Sequence, residues 1–324
     1  MKLVLRALAI LAVLVIVAAF GAYLALRGPT IPYAELEARW ATPASHYADL
    51  GDGIRVHYRE DGPKDAPVLI LVHGFGDSHF TWEGWTPVLS QHYRLIALDL
   101  PGHGLTEAPA SYVLRAADLA DLVVRLAKSI GIDHFSIAGN SLGGGVAWQV
   151  AARHPEVLYA LILDAAAGWP QPPAAGSSPS LAFRIMSHPL GRELLKHIDN
   201  KPLIRQGVRG EVGDPAVITD AFIDRWAVLQ RAPGHRDILL DIDMGSVFTA
   251  TPEIVGAIKT PTLILQGEID PVINKSLAEK FAGAIAGSRL ILYPQVGHLP
   301  QVEIPRKTAQ DVDDFLDSIV KSAH

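Results

Sequence analysis

Six short, unbroken apolar runs recur along this chain, at Val68 to Val72, Leu95 to Leu98, Phe135 to Ala138, Leu158 to Leu163, Thr262 to Leu265 and Leu290 to Tyr293. Each is too short for a core helix and lacks the polar alternation of a half-exposed strand. That pattern suits strands buried on both faces of a parallel sheet. Between the runs lie stretches with helical spacing of apolar residues, most clearly Leu114 to Ile130, Leu142 to Arg153, Ser276 to Ile285 and Ala309 to Ile319. Strand alternating with helix predicts a doubly wound, mostly parallel α/β sheet. Ahead of it, Tyr47 to Leu50 and Ile54 to Tyr58 flank Gly51-Asp52-Gly53 and read as a β-hairpin, so the sheet starts antiparallel.

The alternation fails once. From Trp169 to Ala250 no strand is evident, while Leu190 to Ile198 and Ile218 to Leu229 carry helical periodicity. We read residues 169–250 as a helical cap inserted into a core formed by 46–168 and 251–324, with the Pro/Gly/Ser-rich piece Trp169 to Ser180 as either a hinge or an ordinary long loop.

The first 27 residues are of another kind. Ala7 to Leu26 is a run of twenty residues without a charge, and a helix of that length spans about 30 Å of hydrocarbon. Lys2 and Arg6 before it and Arg27 after it favour an N-terminus in the cytoplasm, with the remainder periplasmic or otherwise extracytoplasmic. The alternative is a cleaved signal peptide ending near Ala18 to Ala22 and a secreted product. Residues 28–45 read as a linker that includes a short helix at Tyr33 to Trp40.

With 49% hydrophobic residues and 19% charged, the 324-residue chain can bury a large core, and a net charge of -6 without a basic block beyond the N-terminus argues against nucleic acid as a partner. The chain has no cysteine, which excludes disulfides and thiolate chemistry but leaves the compartment open.

Chemistry is concentrated at the C-terminal ends of the apolar runs, the edge where open α/β sheets place their ligand sites. Gly139-Asn140-Ser141-Leu142-Gly143 lies between a strand and a helix, a G-x-S-x-G elbow that exposes a serine on a tight, strained turn. Because the helix begins at once, the N–H of Leu142 faces an oxyanion formed beside Ser141. His73-Gly74-Phe75-Gly76 follows the first buried run, and there the N–H of Phe75 supplies a second donor. His73, and His103 in Asp99-Leu100-Pro101-Gly102-His103-Gly104, are assigned to holding loops. Asp270 in Gly267-Glu268-Ile269-Asp270-Pro271-Val272 and His298 in Val296-Gly297-His298 complete the order nucleophile, acid, histidine. Asp164, which ends an earlier strand, is the rival acid; Glu268 is read as solvated. His188, His197 and His235 show no metal-ligand spacing and are read as surface or lid residues.

Over residues 46–322 these motifs resemble the α/β-hydrolase superfamily, and within it bacterial lipases and esterases and the membrane-anchored monoacylglycerol lipases. The resemblance implies a serine esterase or lipase acting through an acyl-enzyme, with Ser141, Asp270 and His298 as triad, Phe75 and Leu142 as oxyanion donors, a small ester or lipid as partner, and neither metal nor organic cofactor. Meta-cleavage C–C bond hydrolases share the triad but usually carry a tryptophan after the histidine, where this chain has Leu299. A non-catalytic binding protein on the same fold would have no use for so complete a set. Leu181, Phe183, Ile185, Met186, Phe222 and Trp226 in the cap are candidates for an acyl tunnel, or equally for cap core.

Overall fold

A computed structural model of the chain describes residues 2–170, 185 and 188–322. Eight strands form one sheet: β1 (Ser45–Asp49), β2 (Arg55–Asp61), β3 (Val68–Val72), β4 (Arg94–Leu98), β5 (Phe135–Asn140), β6 (Leu158–Asp164), β7 (Thr262–Gly267) and β8 (Arg289–Tyr293). Their order across the sheet is β1-β2-β4-β3-β5-β6-β7-β8. β1 and β2 pair antiparallel, as do β2 and β4, and every later pair is parallel. All six apolar runs are strands of this sheet, and the hairpin forms its antiparallel start, in the arrangement of an α/β-hydrolase fold.

Side chains of successive strand residues point to opposite faces, so β3 feeds two cores. Ile70 and Val72 join Leu119, Val123 and Leu126 of α3 (Ala116–Ser129), Val146 and Val150 of α4 (Leu142–Arg153) and Phe281 of α9 (Lys275–Ala284). Leu69 and Leu71 join Trp82, Trp85 and the apolar face of α10 (Pro305–Ser322), where Ala309, Val312 and Leu316 repeat at helical spacing. The cap between β6 and β7 includes α5 (Pro189–His197), α6 (Lys201–Glu211), α7 (Asp220–Leu229) and α8 (His235–Leu240).

Two N-terminal helices precede the sheet, α1 (Lys2–Leu26) and α2 (Tyr33–Trp40). Within α1, Val4–Leu26 has a mean hydropathy of 2.7, is long and apolar enough to cross a membrane, and has none of its most apolar stretch buried. The segment expected as a linker is packed against the body of the protein. Tyr33, Leu36 and Trp40 share one face of α2, and Leu36 is buried with Phe80, Leu105 and Leu229, a burial that contributes about 1.5–3 kcal/mol. The Gly28 N–H donates to His197 O at 2.9 Å and the Tyr33 hydroxyl meets His235 Nε2 at 2.9 Å. His235 is therefore not a surface residue: it is fully buried, its Nδ1 on Leu229 O at 2.9 Å, and it ties α2 to the cap.

Candidate active site

The turn from β5 into α4 forces Ser141 to φ +52° and ψ −115°, a positive φ that only surrounding packing can hold in a residue with a side chain. Gly143 makes that packing feasible, since a Cβ there would stand 2.1 Å from Val72 O. As the first helical residue, Leu142 has no carbonyl a turn behind it to take its N–H. The loop after β3 closes on the same point: a Cβ on Gly74 would lie 3.3 Å from Ser141 Cβ. Two histidines fix this loop. His103 Nε2 accepts the Gly76 N–H at 2.9 Å, and His73 binds Gly74 O through Nδ1 at 2.7 Å and the Leu100 N–H through Nε2 at 3.0 Å. Burial pushes His73 down to about 4, so both its acceptor and donor roles persist at neutral pH.

At the neighbouring strand ends, Asp270 Oδ2 lies 2.8 Å from His298 Nδ1. The same oxygen takes an N–H from Gln266 at 3.0 Å, while Oδ1 accepts the N–H groups of Val272 at 2.7 Å and Ile273 at 2.9 Å. Burial alone would lower the His298 pKa; the charge and hydrogen bond of Asp270, with Glu211 and Glu303 nearby, turn the net shift upward. Asp164 makes no such contact. Its carboxyl is buried beneath Asn140, whose amide reaches Asp164 Oδ2 at 3.5 Å and His298 O at 3.2 Å. Burial outweighs the Asn140 hydrogen bond and, with the charges of Asp270 and Glu303, raises the Asp164 pKa well above the carboxylate range.

Three contributors gave no signal as isolated residues. Gln266 sits four residues before Asp270 and braces it. Glu303, five residues after His298, accepts the N–H of Gly297 at 2.9 Å and of Leu299 at 3.3 Å, which brackets the histidine, and the N–H of Gly213 in the cap at 2.7 Å. Glu211 O accepts the His298 N–H at 2.7 Å. Such a carboxylate clamp is readable only once the cap is known to reach the histidine loop.

Ser141, His298, Phe75 and Leu142 line one cavity of about 430 Å³, whose walls include Leu240, Ile242, Val247, Phe248 and Ile273. A second cavity of about 230 Å³, between the cap helices, shares Phe75, Glu211, Trp226, Leu239 and Leu240 with the first. Of the tunnel candidates, Trp226 lines both; Phe222 packs in the cap core beside it with ring centroids 5.6 Å apart, and Ile185 is half-buried. Leu181, Phe183 and Met186, with the hinge residues after Pro170, lie outside the described residues. Glu268 is exposed, 3.8 Å from Lys275. Beneath the site, Asp99 accepts N–H groups from the backbone of His79 and Leu105 and contacts the rings of His57 and His79, at 2.8 Å for His57. The ligand-type atoms of His57, His79 and Asp99 fall within 4.8 Å of one another, but both Asp99 oxygens are already taken up in hydrogen bonds.

Residues 69–311 match the model of the Alpha/beta hydrolase family. The chain is 30% identical over 280 residues to 2-hydroxy-6-oxo-6-(2'-aminophenyl)hexa-2,4-dienoic acid hydrolase of Metapseudomonas resinovorans, covering 82% of this chain and 88% of the relative. It is 28% identical to the monoacylglycerol lipase abhd6-B of Xenopus laevis, covering 84% and 82%. Among solved structures it resembles a bacterial membrane phospholipase A described as a virulence factor, with a TM-score of 0.71 and 28% identity over 98% of this chain and 99% of that one.

Proposed function

Because the chain belongs to the alpha/beta hydrolase family, we propose that it is a serine esterase or lipase, with Ser141 as nucleophile, His298 as base and Asp270 as the acid that orients the histidine. The observation that carries this reading is the Asp270–His298 pair opening into the cavity that also holds the strained Ser141. His298 takes the Ser141 proton as Oγ attacks an ester carbonyl, and Asp270 stabilises the imidazolium. The Phe75 and Leu142 N–H groups receive the oxyanion, each worth about 2.7–4 kcal/mol in the transition state. His298 then returns its proton to the leaving alcohol, and water repeats the attack on the acyl-enzyme.

The apolar walls of the larger cavity favour a substrate with a hydrocarbon acyl chain. We assign α1 as a membrane anchor that leaves the catalytic domain outside the cytoplasm. Its bare apolar surface supports this, as does a likeness to a membrane phospholipase that extends over nearly the whole chain. The core-and-cap division at 46–168, 169–250 and 251–324 belongs to the same reading. The 30% identity to a dienoic acid hydrolase favours, as a second reading, hydrolysis of a C–C bond by the same triad.

Labelling by a fluorophosphonate, together with hydrolysis of p-nitrophenyl esters and monoacylglycerols, tests the first reading. Ser141→Ala should abolish labelling and reduce turnover by about 10⁶. Turnover of a vinylogous 1,5-diketone with esters left untouched would move the assignment to C–C hydrolysis.

A further inference from the structure

Glu211 is the last residue of α6, and its backbone carbonyl holds the N–H of His298 at 2.7 Å. Its side chain lines both cavities and so stands at their junction, on the histidine side of the site. Among the described residues the carboxyl has no hydrogen-bond or ion-pair partner, and the residue is half-buried, facing the cavities. Burial raises its pKa, against the opposing influence of His298. A half-buried carboxyl that faces an apolar cavity without a protein partner is free to accept or donate a hydrogen bond when a ligand brings a hydroxyl to it.

The position of Glu211 selects which part of a substrate does so. In ester hydrolysis the histidine passes its proton to the leaving alcohol, so the alcohol portion lies beside His298. The hydrocarbon-like walls formed by Ile242, Val247, Phe248 and Ile273 offer the acyl chain a place without polar demands. We propose that Glu211 reads the alcohol portion, and that the preferred substrates are acyl esters of a short polyol with a free hydroxyl near the ester oxygen. This inference rests on the ester-hydrolase reading. The hydroxyl hydrogen-bonds to the Glu211 carboxyl while the acyl chain fills the larger cavity.

Two esters that share an acyl chain isolate the effect: 1-decanoylglycerol and propyl decanoate, assayed with the full chain in detergent micelles against Glu211→Gln and Glu211→Leu. The wild type should prefer the glycerol ester. In Glu211→Leu the ratio of the two kcat/KM values should fall about tenfold, chiefly through KM of the glycerol ester. Glu211→Gln, similar in shape and still able to hydrogen-bond, should keep part of the preference. The proposal is overturned by a ratio that moves less than about twofold in both variants, or by both esters slowing equally, which would mark Glu211 as acting through His298. Wild-type protein that cleaves propyl decanoate without preferring the glycerol ester also overturns it. A wild type inert to both esters and to fluorophosphonate would instead remove the ester reading itself.

Discussion

Replacing Asp270 by Asn tests the assignment of the acid with an effect that follows from counting hydrogen bonds. Four N–H donors converge on two carboxylate oxygens: Val272 and Ile273 on Oδ1, and Gln266 and His298 on Oδ2. An asparagine has one acceptor oxygen. With its NH₂ in the Oδ1 place, two backbone donors lose their acceptor, at about 1–3 kcal/mol each. With the NH₂ in the Oδ2 place, the backbone bonds survive, Gln266 loses this acceptor but keeps Gly267 O and Ile273 O, and His298 Nδ1 must accept instead of donate. The second arrangement is cheaper, and it puts the imidazole proton on Nε2, where the Ser141 proton has to go. The expected result is a fall in kcat of about 10⁴ with a stability loss of only about 1–3 kcal/mol, a few degrees in Tm.

The residual activity should also change its pH dependence. Asp270 raises the His298 pKa, and only neutral imidazole accepts a proton, so the acid limb of kcat/KM should move to lower pH when the charge is removed. Asp164→Asn is the control. Burial drives the Asp164 carboxyl toward its protonated form and, among the described residues, its Oδ1 has no hydrogen-bond partner, so an amide is a close replacement. Its kcat should stay within a few-fold and its stability within about 1 kcal/mol. Steady-state hydrolysis of p-nitrophenyl butyrate across pH 5–9, with thermal denaturation of each variant, reads all of these. An Asp270→Asn enzyme within tenfold of wild type, or a larger loss in Asp164→Asn, would refute the reasoning.

Against p-nitrophenyl esters of graded length, kcat/KM should rise from acetyl to medium chains by up to about 0.8 kcal/mol per methylene until the larger cavity is full, and a chain beginning at Gly28 should show the same profile in solution. A flat profile would leave a small-ester hydrolase as the better description. Glu303→Gln replaces one acceptor oxygen of the clamp by a donor, so kcat should fall about 10- to 100-fold with little change in KM; an unchanged kcat in a folded variant would show that the clamp does not set the position of His298.

The sheet was readable because its central strands are buried on both faces, which leaves uninterrupted apolar runs at strand length. α4 was readable to the residue, Leu142 to Arg153, because the glycine elbow fixes its start. At α10 periodicity marked only the buried stretch from Ala309 to Ile319, whereas the helix begins at Pro305, a residue suited to a first turn. The segment 28–45 carried its docking signal in Tyr33, Leu36 and Trp40, but three apolar residues on a short helix do not say what they pack against. The same limit hid Glu303, Glu211 and Gln266. Glu303 and Glu211 act on backbone N–H groups, which leave no mark in a sequence, and Gln266 reaches the Asp270 carboxylate across a loop whose shape the sequence does not show.

The docked segment gives the proposed anchor a mechanical consequence. Leu26 O, at the end of α1, accepts the N–H of Asp199, and Arg27 bridges to Ile198 just beyond α5. No slack separates the apolar helix from the cap. With α1 in a bilayer as proposed, the end of α5 is held at the lipid surface and the cap cannot tumble relative to it. The cap in turn meets the histidine loop twice, through Glu211 O on His298 N–H and through the Gly213 N–H on Glu303. A continuous line of hydrogen bonds and packing therefore runs from α1 through the cap to His298. In the proposed mechanism, an opening of the cap that broke the Glu211 and Glu303 contacts would displace His298, so the productive state is the closed one, and substrate reaches Ser141 with those two contacts intact.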